Sequence, residues 1–292
     1  MGNEQLSFSH ISIVIPAKNE AKNLINLLPK LLAVLPDAEI IVVDDGSTDS
    51  TAKVAKEAGV YVISHPYSKG NGAAIKTGAK VAISDIIVFM DGDGQHNPDD
   101  ITRLLKRLNS GYDMVVGARQ PGSQASLGRG IANKFYNRLA SYMAGHRVED
   151  LTSGFRVVHR KKFLQFLYLL PNGFSYPTTS TMAFFRAGYS VGYEPIIAGK
   201  REGASHIRPI KDGIRFLLII FKIGTLYSPL KLFFPLAFFV FAIGISYYGY
   251  TFFTTERFTN MSALMLTTSL IIFMVGLVSE QITALMYKDD EG

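Results

Sequence analysis

The apolar run DIIVFM (85–90) ends in DGDGQH, which sets Asp91 and Asp93 two positions apart with only Gly92 between them and Gly94, Gln95 and His96 behind. Carboxylates at that spacing suit a hard divalent cation, which takes one or two protein carboxylates and completes its shell with water and substrate phosphate oxygens. Asp93, with Gln95 or Asp91, supplies such a sparse all-oxygen set, and the small Gly92 and Gly94 let backbone come close to a ligand. A DxD pair alone also describes any Asp-rich turn. Two more polar clusters follow apolar runs, however: PAKNE (16–20) after ISIVI and DDGSTD (44–49) after EIIVV. In an open parallel sheet, ligands collect beyond the carboxyl ends of the strands, so three clusters converging there describe a site for a nucleoside diphosphate.

The elements that must position these clusters are short β-branched runs alternating with helical patterns. ISIVI (11–15), EIIVV (39–43), VYVI (60–63), DIIVFM (85–90) and DMVV (113–116) read as strands. Continuous apolar strands separated by helices imply a parallel sheet covered on both faces. Helices are expected over 19–35, 47–59, 71–82 and 97–111, the last opening with Asn97 as cap and Pro98 in its first turn. The layout is α/β, Rossmann-like and mostly parallel. Beyond it, RGIANKFYNRLASYMAG places Ile131, Phe135, Leu139 and Tyr142 at helical spacing, an amphipathic helix closing at Gly145. EDLTSGFRVVHR reads as a loop entering a strand, and a further helix is expected around 178–188.

Charge and hydropathy divide the chain. Of 292 residues 18% are charged, yet Leu232–Phe253 and Met261–Ser279 carry no charge at all. At about 1.5 Å per residue each stretch can cross a hydrocarbon core of roughly 30 Å. TTERFTN between them is short, so they form a hairpin. Lys211, Arg215, Lys222 and Lys231 precede the first stretch, which places the N-terminal part in the cytoplasm and returns the C-terminal KDDEG to the same side. Over 207–231, Arg208, Lys211, Arg215 and Lys222 fall on one helical arc beside Phe216, Leu217, Ile219, Ile220 and Phe221, the pattern of a helix lying on an anionic bilayer. The expected domains are therefore 1–206, catalytic and cytoplasmic; 207–231, interfacial and amphipathic; 232–287, a transmembrane hairpin with helices over 232–253 and 261–286; and 288–292, a cytoplasmic tail. Glu280 is expected near the cytoplasmic surface. The net charge of +6 suits anionic lipid or a phosphorylated substrate, and no Lys/Arg run of nucleic-acid type is present. The absence of cysteine excludes a disulfide framework and thiolate metal sites. MGNEQLSFSH has no signal-peptide pattern, and Leu6 breaks the myristoylation pattern.

VIPAKNE, VVDDGSTDST, MDGDGQHNP and DLTSGFRV, in that order and ahead of a C-terminal apolar hairpin, resemble family 2 glycosyltransferases, in particular the polyprenyl-phosphate glycosyltransferases that include dolichyl-phosphate mannose synthase. The resemblance implies a GT-A fold and an inverting, metal-dependent transfer of a hexose from a UDP- or GDP-sugar to undecaprenyl or dolichyl phosphate. It implies that Pro16, Ala17, Glu20, Asp45, Asp91 and Gly92 hold the nucleotide, and that Asp91, Asp93 and Gln95 hold Mg²⁺ or Mn²⁺ and the diphosphate. Asp93 thereby joins Asp150, the position that relatives use as a base, in the catalytic pair. Arg119, Arg129 and Arg201 match basic positions that meet the acceptor phosphate, and Asn133 stands one turn from Arg129. A phosphate monoester has a second pKa of about 6, so a dianionic acceptor needs little deprotonation. Asp150 is therefore expected to position the nucleophile and an arginine. The implied location is the cell membrane, or the endoplasmic reticulum membrane in a eukaryote, multi-pass with both termini cytoplasmic. The sequence leaves room for a homo-oligomer.

Two stretches depart from the family pattern. Pro177 and Thr178–Thr181 stand where many relatives carry an acidic residue near the sugar, and His206 stands where a lysine is common. Both border the expected donor and acceptor pockets, so the donor sugar stays open. Three other readings compete: a processive polysaccharide synthase or a transferase to another lipid, a non-catalytic membrane-tethered nucleotide-sugar binder, and a sugar nucleotidyltransferase. The first needs a Q-x-x-R-W signature, but the chain has no tryptophan. The second sits poorly with a complete set of carboxylates, and the third lacks its Gly-rich basic loop in IPAKNEAKN.

Overall fold

The computed structural model describes residues 11–120, 127–173, 175–199 and 228–288 with the single positions 218, 221, 224 and 225, and for 127–133 and 286–288 the backbone alone. The chain divides into two compact units, Met1–Leu139 with His146–Gly213, and Ala140–Gly145 with Ile214–Gly292.

The first unit is a seven-stranded sheet in the order β3-β2-β1-β4-β6-β5-β7, built from β1 (Ile11–Ala17), β2 (Glu39–Asp44), β3 (Tyr61–Ser64), β4 (Ile86–Phe89), β5 (Met114–Arg119), β6 (Arg156–His159) and β7 (Val191–Ile196). Helices α1 (Ala21–Val34), α2 (Thr51–Glu57), α3 (Asn71–Val81) and α4 (Asp100–Asn109) fill the crossovers among the first five strands. β1 is an interior strand because both its faces are apolar: Ile13, Val14 and Ile15 are buried, and Leu24, Leu28 and Leu31 of α1 share one core cluster with Ile13 and Ile15. β1 pairs in parallel with β2 and β4, β2 with β3, and β5 with β7. β6 runs antiparallel to both β4 and β5. The mostly parallel α/β expectation therefore holds, with one reversed strand that hydrophobic patterning does not distinguish.

Three details depart from the sequence reading. α4 begins at Asp100 rather than Asn97; Asn97 Oδ1 accepts from the Asp99 amide and its carbonyl from Asp100, so it closes the turn ahead of the helix. β7 went unrecognised because Gly192 and Pro195 break its pattern, and an edge strand tolerates both. Helix α5 (Leu127–Ala144) ends at Gly145, whose φ is +73°. Its expected apolar face is not a core face, since Phe135 and Tyr142 are 56% and 54% exposed. Two shorter helices, α6 (Arg160–Leu164) and α7 (Tyr176–Arg186), complete the unit.

The second unit is dominated by two long helices, α8 (Pro229–Thr255) and α9 (Asn260–Lys288), packed along each other. Both are long and apolar enough to cross a membrane. They extend past the uncharged stretches at both ends, and their large side chains face outward: Phe238 and Phe239 are 62% exposed, Ile271 57%. Glu280 accepts the Leu230 amide at 3.1 Å, a carboxylate on one of the unpaired amides that open α8.

Candidate functional site

The loops after β1, β2, β3 and β4 converge, because adjacent parallel strands end on the same edge. The first two are tied by side chains. The Asn19 amide donates to Ser47 Oγ (2.9 Å) and Asn19 Oδ1 accepts from the Thr48 amide (2.8 Å). The Glu20 amide donates to Thr51 Oγ1 (2.9 Å) and the Ala21 amide to Asp49 (3.3 Å). Between them opens a cavity of about 480 Å³ lined by Pro16, Ala17, Lys18, Glu20, Asp45, Ser68, Gly70, Asn71, Ala74, Asp91, Gly92 and Asp93.

Pro16, Ala17, Glu20, Asp45, Asp91, Gly92 and Asp93 thus stand together at one opening. Lys18, Ser68, Gly70, Asn71 and Ala74 were missed. Their signal was SKGNG (68–72), a Gly-rich turn after β3 that opens α3 on the same sheet edge.

Asp45 builds the wall rather than presenting a bare carboxylate. Its Oδ1 accepts from His65 Nδ1 and the Lys69 amide, and its Oδ2 from Ser68 Oγ and the Gly70 amide, all at 2.8 Å. Burial works against the charge, but the bonds from His65, Lys69, Ser68 and Gly70 outweigh it and bring the carboxyl down to about 2. One ionised group thereby fixes the loop from His65 to Gly70 against β2.

On the β4 edge, Gly94 has φ +73°, a conformation cheap only for glycine. It turns the chain so that the Gln95 amide meets Asp93 Oδ1 (3.2 Å). Gln95 Nε2 donates to Gly199 O (3.2 Å), which leaves the side-chain carbonyl as the atom that could meet a cation. Asp91 lies against Gly154 of the SGF loop, where an added Cβ would meet Asp91 Oδ2 at 2.5 Å. Among the described residues, no cluster of three His, Cys, Asp or Glu side chains could hold a metal ion. Asp91 and Asp93 on a cavity wall, with the Gln95 carbonyl nearby in sequence, nevertheless suit a hard cation that draws its other oxygens from a diphosphate.

A second centre stands at the end of β5. Arg119 donates from Nε to Asp150 Oδ2 (2.8 Å) and from Nη2 to Asp150 Oδ1 (2.9 Å), and its amide reaches Oδ2 (3.2 Å). The amides of Thr152 and Ser153 donate to Asp150 Oδ1 at 3.1 Å. Burial raises the Asp150 carboxyl, but the hydrogen bonds and charge of Arg119 with the Thr152 amide hold it below the ordinary carboxylate range. Burial of the half-buried Arg119 works against its charge, but Asp150 and, at longer reach, Asp91 and Asp93 hold it above the ordinary arginine range. Backbone positions 129 and 133 lie in the first two turns of α5; the side chains of Arg129 and Asn133 fall outside the described residues, as do Arg201, His206 and, apart from the single positions, the expected interfacial helix.

Two residues acquire a place that the sequence did not give them. His96 is buried, stacks on Phe155 with ring centroids 4.9 Å apart, and its Nδ1 has no hydrogen-bond partner. Burial dominates, and its pKa drops to about 4 despite the opposing charge of Asp93, so the ring is neutral packing behind the β4 turn. Arg156 is fully buried. It donates to Pro177 O (3.0 Å), Ser180 Oγ (2.8 Å), Thr181 Oγ1 (3.2 Å) and Ser153 O (2.5 Å). Within the PTTST departure, Pro177, Ser180 and Thr181 therefore supply neutral acceptors for this guanidinium, which ties α7 to the loop bearing Asp150.

Comparison with known proteins gives two family matches: the model described as Glycosyl transferase family 2 covers residues 12–167, and that described as GtrB C-terminal hairpin covers 228–285. The chain is 29% identical to glycosyltransferase AglJ of Haloferax volcanii over 75% of this chain and 74% of that protein. It is 30% identical to polyprenol monophosphomannose synthase of Mycolicibacterium smegmatis over 65% of this chain and 77% of that one. Among solved structures, glucosyl-3-phosphoglycerate synthase from Mycobacterium tuberculosis in complex with Mn²⁺, uridine diphosphate and phosphoglyceric acid superposes with a TM-score of 0.57 at 22% identity, covering 72% of this chain and 78% of that one. The last likeness is one of fold.

Proposed function

The chain belongs to glycosyl transferase family 2 and carries a GtrB-type C-terminal hairpin, and on that premise we propose that it transfers a hexose, with inversion, from a UDP- or GDP-sugar to a polyprenyl phosphate such as undecaprenyl or dolichyl phosphate. The observation that carries this reading is the pairing, in one unit, of a carboxylate-lined cavity with a carboxylate-held arginine at the adjoining strand ends. A cavity of that lining suits a nucleoside diphosphate, and an aimed guanidinium suits the phosphate of the acceptor. The polyprenol monophosphomannose synthase relative and the apolar helices α8 and α9 favour a lipid acceptor over a soluble one.

Within this reading Pro16, Ala17, Glu20 and the Asp45-braced loop enclose the base and ribose. Asp91, Asp93 and the Gln95 carbonyl hold Mg²⁺ or Mn²⁺ with the diphosphate; when bound, such a cation offsets the charge that develops on the leaving diphosphate. Asp150 is a positioning residue. Its depressed pKa and its six bonds from Arg119, Thr152 and Ser153 unfit it to take a proton, and a dianionic acceptor has none to give up above about pH 6. It aims Arg119 at the acceptor phosphate, with Arg129, Asn133 and Arg201 as further contacts, and the rate comes from alignment. The catalytic domain over 1–206 faces the cytoplasm, the segment 207–231 lies at the bilayer surface, the hairpin over 232–287 anchors it, and 288–292 returns to the cytoplasm, by the excess of Lys and Arg ahead of the first span.

The test is direct. Detergent-solubilised protein is incubated with polyprenyl phosphate, Mn²⁺ or Mg²⁺ and a panel of UDP- and GDP-sugars, and the lipid fraction is read by mass. One donor should give a polyprenyl-phosphate hexose; no glycolipid from any donor overturns the proposal.

A further inference from the structure

The reversed strand β6 lies between β4 and β5, and its direction decides which loop reaches the site. An antiparallel strand begins at the edge where its neighbours end. Arg156, the first residue of β6, pairs in register with Phe89, two positions before Asp91, and with Val116, three positions before Arg119. The loop from Asp150 to Phe155 therefore enters the sheet at the same edge as the β4 carboxylates and Arg119.

Arg156 meets only neutral oxygens in its bonds to Ser153, Pro177, Ser180 and Thr181. Burial pushes its pKa below the ordinary arginine range, against the pull of Tyr176, Tyr193, Asp150 and Asp91. Neutral partners offset less of a buried cation's desolvation than a carboxylate would, so stability alone does not account for a guanidinium at this place. What it holds is the loop. Arg156 Nη2 donates to Ser153 O (2.5 Å), and the buried Tyr176, whose ring centroid lies 5.5 Å from the guanidinium carbon, donates from its hydroxyl to Gly154 O (2.8 Å). Two consecutive carbonyls are thereby held from the interior. The rest of the same loop faces the site: the amides of Thr152 and Ser153 meet Asp150 Oδ1, and Gly154 lies so close to Asp91 that a Cβ there would crowd both carboxylate oxygens, at 2.5 and 2.9 Å. Asp150 in turn holds the Arg119 guanidinium by two bonds.

We propose that Arg156, together with Tyr176, is a positioning residue for the transfer: by holding the Ser153 and Gly154 carbonyls it sets one loop that keeps Asp150 on Arg119 at one end and backs Asp91 at the other. This rests on the glycosyl-transfer reading of the two centres. It makes Arg156 a brace common to both, so its loss should show on the donor side and in the rate together, whereas loss of Asp150 shows in the rate alone.

Full-chain Arg156→Met, Arg156→Lys and Tyr176→Phe are compared with wild type for glycolipid formation and, by calorimetry, for binding of Mn²⁺ with UDP or GDP. Arg156→Met should lower kcat about 10²-fold and weaken binding of Mn²⁺ with nucleotide about tenfold. Arg156→Lys should fall in between, because it keeps the charge without the planar fork. Tyr176→Phe removes one hydroxyl and keeps the ring. It should lower kcat about fivefold in wild type and less than about twofold on top of Asp150→Asn, since both act through one loop. Leu31→Ala, a truncation of a fully buried α1 side chain, serves as the stability control: its thermal midpoint should drop and its kcat should stay within about twofold of wild type. An equal loss of kcat in Leu31→Ala and Arg156→Met at equal midpoints makes Arg156 a packing residue and overturns the proposal. So do wild-type rate and binding in both Arg156→Lys and Tyr176→Phe, and so does a Tyr176→Phe loss kept in full on Asp150→Asn. If Arg156→Met does not fold, Arg156→Lys and Tyr176→Phe carry the test. A wild type that forms no glycolipid removes the functional reading, and the calorimetric arm then decides this one: weakened binding in Arg156→Lys supports the brace on Asp91, and unchanged binding overturns it.

Discussion

Asp45 after β2 and Asp150 ahead of β6 are the same device turned to two ends. Each is a buried carboxylate held below its ordinary pKa by donors that it gathers from its own surroundings. At Asp45 the donors are an imidazole, a hydroxyl and two amides, and the product is a shaped loop on the cavity. At Asp150 the chief donor is a guanidinium, and the product is an aimed cation. A carboxylate at a strand end is thus not by itself a ligand or a base; the donors it collects decide whether it shapes a wall or orients a charge. Asp91 and Asp93 line the same cavity as Asp45, and in the proposed function they are the carboxylates that meet the metal and diphosphate.

The largest effect should come from that middle position. Asp93→Ala should lower glycolipid formation by at least about 10³-fold, measured as initial rate at saturating Mn²⁺. A rate within tenfold of wild type would place the metal elsewhere and dissolve the contrast of Asp91 and Asp93 with Asp45 and Asp150. Next in size, Asp150→Asn should cost about 10²-fold through loss of aim, and Arg119→Ala a similar factor. The double variant should fall little further, because the two residues act as one unit; additive losses would show that Asp150 has a role apart from Arg119. The acid limb of the pH–rate profile should keep its midpoint in Asp150→Asn, since it belongs to the acceptor phosphate with its pKa of about 6.

Smaller effects sharpen the comparison from the Asp45 side. Asp45→Asn should raise KM for the nucleotide sugar about tenfold and leave KM for the lipid phosphate unchanged, as one misplaced loop would. A rise in the lipid KM instead would merge the two centres. The mildest effect is on stability. The Asp45 carboxyl titrates at about 2 in the fold against 3.8 in the open chain, so its contribution is complete above the open-chain value and is lost as pH falls towards about 2. Between those values the thermal midpoint of wild type should drop more steeply than that of Asp45→Asn, which has lost the contribution at every pH.

How far the sequence revealed all this follows from what kind of pattern each part uses. β1, β2, β4 and β5 and the three clusters after β1, β2 and β4 were legible because a doubly covered parallel strand is a continuous apolar run with a polar end, while β3, an exposed edge strand, was legible from its β-branched residues. β6 was legible as a strand but not in direction, and β7 was hidden by Gly192 and Pro195, whose presence an edge strand permits. SKGNG lacks acidic residues, so its composition carries no mark of the site, although its backbone amides bond to Asp45. The apolar spacing of Phe135 and Tyr142 marked a helix face correctly but could not say whether that face meets a core or a surface. Arg156 was invisible for a related reason: arginine is rarely fully buried, and its partners Ser180 and Thr181 lie on α7, distant in sequence.

The measurement that bears most directly on this account is calorimetric titration of Mn²⁺ with UDP or GDP into the wild type, Asp93→Ala and Asp150→Asn. If the donor cavity and the Arg119–Asp150 centre are separate working parts, one nucleotide binds with metal to wild type, binding vanishes in Asp93→Ala, and Asp150→Asn retains it within a few-fold. Loss of binding in Asp150→Asn as complete as in Asp93→Ala, or undiminished binding in Asp93→Ala, would contradict it.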